Sequence, residues 1–195
     1  MSLRKEILDV SKDLLIKDGF SKMSMRRIAK RANVTATSIY LHFKNKDDLL
    51  LALIEESIHN LKEVLVEVMD PSKGFIQQLE EMARAYIRFA LEHPKEYEII
   101  YMVRPEEMPK YPREKFNEVR NAYELLAGII SDGKANSLID VDDPLICAYT
   151  IWAQIHGVVS VILNRRLDTR IPQQKFIDQA VDHIIQGFII QKTPA

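Results

Sequence analysis

The chain has 195 residues, of which 47% are hydrophobic and 28% charged, and its formal net charge at pH 7 is −1. These values are typical of a soluble globular protein that buries one good core, or a small domain beside a larger one. The single cysteine, Cys147, excludes an intramolecular disulfide framework and suits a reducing cytoplasm. Charged residues precede any apolar run at the start of the chain, so no signal peptide is predicted.

The small net charge conceals an uneven distribution of charged residues. Residues 1–46 contain 11 lysines and arginines against 4 acids, whereas the remainder contains 16 against 24. Between residues 19 and 46 there are seven basic residues and no acid. This asymmetry indicates that only the N-terminal segment meets an anionic partner.

Helical periodicity recurs along the chain, while strand signals are weak. The first helix has an apolar stripe and ends at Gly19, a residue that suits a C-terminal cap. Ser24 is placed to cap a short second helix, and Thr35 to cap a short third helix that runs to about His42. Asn33 lies between these two and tolerates a left-handed turn conformation. Two short helices joined by a tight turn predict a helix-turn-helix.

The later helices are marked by acids and prolines. A long helix begins near Asp47 and Asp48, because acids in the first turn complement the helix dipole. Pro71 and Pro144 each follow an aspartate, which pairs an N-cap with a favourable first helical residue. Beyond the long helix we predict helices at 72–93, 95–104, 113–133, 144–166 and 173–191, and a loop at 104–112. The predicted fold class is all-α.

One segment has two interpretations. Residues 145–163 contain no charge over 19 positions, which meets the length of a membrane span. Polar side chains interrupt the segment at Thr150, Gln154, His156 and Ser160, and polar groups are expensive in hydrocarbon. We therefore favour a buried helix of a bundle, with a membrane anchor as the alternative.

The run MSMRRIAKRANVTATSIYLHFKNKDDLLLAL, residues 23–53, resembles the TetR/AcrR family of transcriptional regulators. The features that carry the resemblance are Ser24, Ile28-Ala29, Val34, Thr35, Ile39-Tyr40, His42-Phe43, Lys46 and Leu49. Two positions depart from the family pattern. Asn33 replaces the usual turn glycine, which is a mild change because asparagine accepts the same geometry. Thr37 stands where many members have glycine, which bears on how closely the recognition helix approaches DNA.

The resemblance implies a set of contacts to double-stranded DNA. Ala36 and Thr37, at the start of the recognition helix, are expected to reach base edges, including a thymine methyl group. Tyr40 is expected to reach a base or a phosphate, and Arg26 a base. The expected phosphate contacts are Ser24, Ser38, His42 and Lys46. The complete DNA-binding set, which includes the cap residue, is Ser24, Arg26, Thr35, Ala36, Thr37, Ser38, Tyr40, His42 and Lys46. The residues assigned to the core are Ile28, Ala29, Val34, Ile39 and Phe43.

The rest of the chain resembles the family more loosely. The segments FALEHPKEYEIIYM and TIWAQIHG look like a subgroup with a Trp-x-x-x-His-Gly signature, here Trp152, His156 and Gly157. The resemblance implies a DNA-binding domain at 1–46, and at 47–195 a helical domain that binds a small effector and forms a homodimer through its last two helices. The candidate ligand-binding residues are Tyr86, Phe89, Met102, Tyr123, Tyr149, Trp152 and His156. Each of these side chains is also of a type that simply fills a core.

These features predict a DNA-binding transcriptional regulator, a repressor released from a palindromic operator by a small, largely apolar ligand. The alternative is a helix-turn-helix regulator without a small-molecule effector, either an activator or a membrane-tethered protein. An enzyme is disfavoured, because the five histidines show no metal-ligand spacing and no Gly-rich phosphate loop is present. Cys147 also has no adjacent base in the sequence. No metal or cofactor is expected.

Overall fold

The computed structural model describes residues 2–101 and 116–188. All regular secondary structure in these residues is α-helical, as the sequence predicts. The helices are α1 (Leu3–Asp18), α2 (Met25–Arg31), α3 (Ala36–Tyr40), α4 (Lys46–Glu67), α5 (Phe75–Glu92), α6 (Pro94–Tyr101), α7 (Phe116–Ala135), α8 (Pro144–Leu163) and α9 (Gln173–Gln186). The predicted loop at 104–112 lies outside the described residues.

The helices group into two compact units. The first unit contains α1, α2, α3, α6 and the part of α4 that ends at Asn60. The second contains α4 from Leu61, α5, most of α7, α8 and α9. The domain boundary after residue 46 stays a prediction.

Local capping interactions define the helix-turn-helix in the first unit. The hydroxyls of Ser24 and Thr35 each accept a hydrogen bond from the backbone N–H three residues further on, at 3.3 and 3.1 Å. Gly19 ends α1 with φ +78°, and Asn33 turns the chain between α2 and α3 with φ +55°. Glycine and asparagine enter this left-handed region at low steric cost. All four predicted cap and turn residues are therefore confirmed.

A largely buried charge network joins α1, α4 and α6 in the first unit. Lys12 Nζ lies 2.9 Å from Glu96 Oε1 and 3.7 Å from Glu56 Oε2. Asn60 donates to the other oxygen of Glu96 at 2.9 Å, and Lys5 lies 3.4 Å from Glu56. The side chains of Lys12, Glu56 and Glu96 are 11%, 19% and 13% exposed. Because these charges have lost most of their water, each depends on its partners.

In the second unit, α5, α8 and α9 pack against one another. Asp143 caps α8 by accepting the N–H of Leu145 at 2.7 Å, and Pro144 occupies the first turn, as predicted. Gly133 of α7 lies against the ring of Phe75, at the start of α5, where any Cβ atom would overlap the ring. The absence of a side chain at this position is therefore what lets α7 approach α5.

The uncharged helix α8 is long and apolar enough to cross a membrane by length and composition. One side of α8 is buried within the second unit, where it packs against α5 and α9. The buried residues of this side are Cys147, Ala148, Ile151, Ile155, Val158 and Val159. A helix with a side buried in this way is typical of a bundle, which supports the favoured interpretation of this segment.

The predicted start of the helix after Pro71 is wrong. Asp70 accepts hydrogen bonds from the backbone N–H and the hydroxyl of Ser72, at 2.9 and 2.6 Å, and α5 begins only at Phe75. An aspartate bonded to the residue two positions on closes a turn and competes with the helical path. Asp70 therefore caps a turn, not α5.

Several helix ends also differ from the prediction by a few residues. α8 ends at Leu163 because Arg165 has φ +55°, and α7 continues to Ala135 before Ser137, which has φ +54°. A residue in the left-handed region cannot continue a right-handed helix. α9 ends at Gln186, and the last residues of its predicted range lie outside the described part of the chain.

Replacing Lys12 by methionine should lower the free energy of unfolding by about 3 kcal/mol, because Glu56 and Glu96 would stay largely buried without this cation. Lys95→Met is the matched control. It removes a second α1–α6 ion pair, to Asp13 at 2.8 Å, whose side chains are 56% and 47% exposed. An exposed pair contributes no more than about 1 kcal/mol. Chemical denaturation compares the two variants, and equal losses would contradict a special role for the buried lysine.

Candidate DNA interface and aromatic cluster

The recognition helix α3 buries one side and exposes the other. Ile39 and Phe43 are 0% and 2% exposed. Thr37, Tyr40 and Leu41 lie on the opposite side, where Tyr40 is 55% and Leu41 80% exposed. Residues three and four positions apart share one face of a helix, so these three side chains form a single outer surface.

The structure brings all nine predicted DNA-binding residues into the first unit, on α2, α3, the start of α4 and the turns between them. The exposed residues of the set are Ser24, Arg26, Thr35, Thr37, Tyr40 and His42. The half-buried residues are Ala36, Ser38 and Lys46. Val34, assigned to the core from the sequence, is only half-buried. Contact of the nine residues with DNA stays a prediction.

Capping occupies some of the hydroxyl groups on this surface. Ser24 and Thr35 use an oxygen lone pair to accept a backbone N–H, and the hydroxyls of Thr35 and Ser38 lie 2.8 Å apart. A hydroxyl group has one proton in addition to its two acceptor positions. The proton of Ser24 can therefore be donated to a phosphate oxygen while the cap is kept.

Two of the basic residues have structural partners. Arg27 lies 2.6 Å from Asp18 and donates to the carbonyl of Lys22 at 2.8 Å. Lys46 Nζ donates to the carbonyl of Phe20 at 3.0 Å and lies 3.9 Å from the centroid of the Phe20 ring. An ammonium group has three N–H donors. Lys46 can therefore anchor the start of α4 through one of them and donate another to a phosphate.

The other basic side chains between residues 19 and 46 are exposed, and within the described part of the chain they make no ion pair or side-chain hydrogen bond. They are Lys22, Arg26, Lys30, Arg31 and Lys44. Lysine and arginine side chains supply the sequence-independent part of DNA binding. Sequence reasoning included only Arg26 among these five. For the other four residues, the indication in the sequence was that residues 19–46 contain no acid.

A second site lies in the second unit, around the hydroxyl of Tyr86. Trp152 Nε1 donates to this hydroxyl at 3.2 Å, and the hydroxyl lies 3.3 Å from His156 Nδ1. Tyr86 is 6% exposed. Burial lowers the pKa of His156, so the imidazole is neutral near pH 7 and can accept the Tyr86 proton. These contacts form a polar centre within an apolar environment.

Aromatic rings extend this site. Tyr123 and Tyr149 stack with centroids 4.4 Å apart, and Trp152 lies edge-on to Tyr123 at 5.3 Å. Tyr149 is 42% exposed, whereas Phe89 is buried in α5. Met102 lies outside the described residues. The structure thus brings a group of predicted ligand-binding residues into contact, which we call the aromatic cluster: Tyr86, Tyr123, Tyr149, Trp152 and His156.

A groove of about 470 Å³ opens elsewhere in the second unit, between the start of α5 and α7. Its apolar wall includes Phe75, Leu125 and Ile129, and Gly128 leaves part of the wall open. Small-molecule sites have volumes of about 300–1,000 Å³. None of the predicted ligand-binding residues lines this groove, which sequence reasoning did not anticipate.

A short helix with one exposed side, in a segment that has seven basic residues and no acid between residues 19 and 46, is typical of the helix-turn-helix class. Comparison with known families specifies it further. The family described as bacterial regulatory proteins, tetR family, matches residues 7–53. The family described as tetracyclin repressor-like, C-terminal domain, matches residues 79–186, more than half of the chain. The chain belongs to the TetR family, and the Trp-x-x-x-His-Gly subgroup stays a prediction.

Similar proteins come from several bacteria. An uncharacterised HTH-type transcriptional regulator of Haemophilus influenzae is 34% identical over 92 residues, 47% of this chain and 49% of the relative. A fatty acid metabolism regulator protein of Bacillus subtilis is 27% identical over 138 residues, 66% of each chain. The chain thus spans from about half to two thirds of these relatives. A solved structure of a protein with unknown function from Rhodococcus sp. RHA1 has the same fold, with a TM-score of 0.82, 24% identity and coverage of 97% and 96%.

Lys46→Ala should weaken binding to all DNA sequences alike and reduce the salt slope by about one, because one phosphate contact is lost. It should also lower the free energy of unfolding by about 1–2 kcal/mol, because the bonds to Phe20 are lost. Binding isotherms at several salt concentrations and chemical denaturation measure the two effects.

Lys44→Ala is the control for this prediction, because Lys44 is an exposed cation without such side-chain bonds. It should reduce the salt slope and leave the free energy of unfolding unchanged. A change of base preference in Lys46→Ala, with none in Thr37→Ala, would contradict the division into phosphate and base contacts.

Proposed function

We propose that the protein is a cytoplasmic transcriptional repressor that binds a palindromic DNA operator as a homodimer and is released by a small, largely apolar ligand. The observation that carries the proposal is the outer surface of α3, which is exposed on a helix fixed by buried Ile39 and Phe43. Seven basic residues and no acid lie between residues 19 and 46. Such a surface suits a polyanion with readable base edges. Membership of the TetR family supports the same function.

Dimerisation through α8 and α9 is supported by an apolar stripe on the outer side of α8. Leu145, Ile146 and Tyr149 are 44%, 67% and 42% exposed, and Thr150 and Ala153 lie beside them. The spacing places all five on one helix face. A second copy could bury this stripe against the same stripe, as a twofold interface requires.

Ile146→Glu should produce a monomer, because it would place a charge at the centre of an interface that needs about 800 Å² per partner. Leu138→Glu is the control, since Leu138 is 45% exposed but lies outside the stripe. Analytical ultracentrifugation at micromolar concentration distinguishes the two variants. A monomeric wild-type protein would contradict both the dimer and the palindromic operator.

The proposed effector site is the aromatic cluster. Its rings offer an apolar surface, whereas the Tyr86 hydroxyl and His156 offer polar groups that are costly to leave unpaired. A ligand that separates these groups must therefore carry a polar end of its own. The name of the Bacillus subtilis relative, a fatty acid metabolism regulator, supports a ligand with an apolar body and one polar end.

Switching is proposed to act through α4. This helix starts at Lys46, in the first unit, and continues to Glu67, in the second. A tilt of α4 would move the anchored α1–α2 turn at Phe20 and change the separation of the two recognition helices. That separation must match half-sites about 34–36 Å apart. The ligand needs a different affinity for the two states, with a usual coupling of ~1–3 kcal/mol.

Fatty acids of increasing chain length are suitable probes, because each has an apolar body and one polar end. Trp152 is the single tryptophan, so its fluorescence emission reports on binding at the aromatic cluster. Trp152→Ala should weaken release of the operator by the best fatty acid about tenfold, since an aromatic contact is lost. Binding of operator by the ligand-free variant should stay as in the wild type. Titration of operator complexes with the fatty acid measures release, and release unchanged from wild type would exclude Trp152 from the effector site.

A further inference from the structure

Leu41 is the most exposed of the large hydrophobic side chains in the described part of the chain. It is 80% exposed, compared with 55% for its neighbour Tyr40 and 67% for Ile146 on α8. An isolated exposed leucine needs no explanation on an ordinary surface. Leu41, however, lies in the segment 19–46, which contains seven basic residues and no acid.

The backbone fixes the direction of Leu41. Its N–H donates to the carbonyl of Thr37 at 3.2 Å, so the helical path of α3 continues through this residue. Leu41 therefore lies one turn beyond Thr37 on the same face, opposite to the buried Ile39 and Phe43. Thr37 and Leu41 therefore present one continuous face to a duplex that lies along α3.

An exposed leucine side chain gains free energy only from contact with an apolar group of its partner. Phosphates and most base edges present only polar groups, which gain nothing from an aliphatic side chain. The 5-methyl group of thymine is the apolar feature of the major groove. A protein partner is disfavoured. The apolar area that one leucine offers is far smaller than a stable protein interface. The segment around it also has exposed cations such as Arg26 and Lys44, whereas charged residues are depleted at the centre of protein interfaces.

We propose that Leu41 contacts the 5-methyl group of one thymine in each operator half-site and so determines the base at that position. The inference rests on the proposed function as a DNA-binding regulator. It adds a specificity-determining residue that is distinct from Thr37, one turn further along α3. The partner of Leu41 is apolar, whereas Tyr40 and the surrounding cations meet bases and phosphates through polar groups.

The experiment uses duplexes that the purified full chain selects from a random pool. Each thymine of a selected half-site is replaced in turn by deoxyuracil, which lacks only the methyl group. Removal of one buried methyl contact should weaken wild-type binding about three- to tenfold at one position. Leu41→Ala should bind the thymine duplex more weakly by a similar factor and should not distinguish thymine from deoxyuracil there. Leu41→Met should keep most of the discrimination.

Two controls make the result specific. Leu138→Ala shortens another exposed leucine, 45% exposed in the second unit, and should keep the wild-type preference. Thermal unfolding of each variant checks that the fold is intact. The inference is overturned if Leu41→Ala binds as the wild type does, or loses the same factor on thymine and deoxyuracil duplexes at every position. Failure of the wild-type chain to select any duplex would instead overturn the proposed function itself.

Discussion

The burial of two side chains, Ile39 and Phe43, is the constraint on which the DNA-binding surface depends. α3 contains five residues, and a helix of this length is unstable in water because its nucleation cost is not repaid by enough hydrogen bonds. It forms only because Ile39 and Phe43 are buried in the first unit and because Thr35 caps its first turn. The side chains of Thr37, Tyr40 and Leu41 on the outer side are not needed to hold the helix in place, so they can vary without loss of the fold.

Polar bonds between distant residues support this arrangement. The carbonyl of Phe20, which follows α1, accepts the ammonium group of Lys46, which starts α4. On another side of α1, Lys12 pairs with Glu56 of α4 and Glu96 of α6. α1 is thus bonded to both helices by charges that are screened little by water, since these groups are mostly buried. The helix that precedes the recognition motif is therefore fixed in position by α4 and α6.

The sequence was sufficient for the features that depend on near neighbours. Gly19, Ser24, Thr35 and Asp143 all act as predicted, because a cap or turn is decided within three or four residues. Asp70 did not, although it also precedes a proline, because a serine two positions on offered a competing turn.

Features that depend on distant residues could not be predicted. The bond from Lys46 to Phe20 spans 26 residues, and no local pattern indicates it. Leu41 was assigned no role from the sequence, and its position four residues after Thr37 places it on the outer side of α3. The aromatic cluster was anticipated as a set of residue types, whereas the central position of the Tyr86 hydroxyl between Trp152 and His156 required the structure.

The two sites differ in the way their polar groups are satisfied, and this difference bears on what each can recognise. On the DNA surface the exposed cations keep their water until a phosphate replaces it, so binding there depends on salt more than on shape. In the aromatic cluster the hydroxyl of Tyr86 is already bonded by Trp152 and His156. A ligand at this proposed effector site would gain most of its free energy from the rings of Tyr123 and Trp152, and its polar end would have to match the bonds that it interrupts. Selectivity at this site would then come from the position of the ligand's polar atom relative to its apolar body. Buried hydrogen-bonding groups discriminate strongly against a ligand that leaves them unpaired.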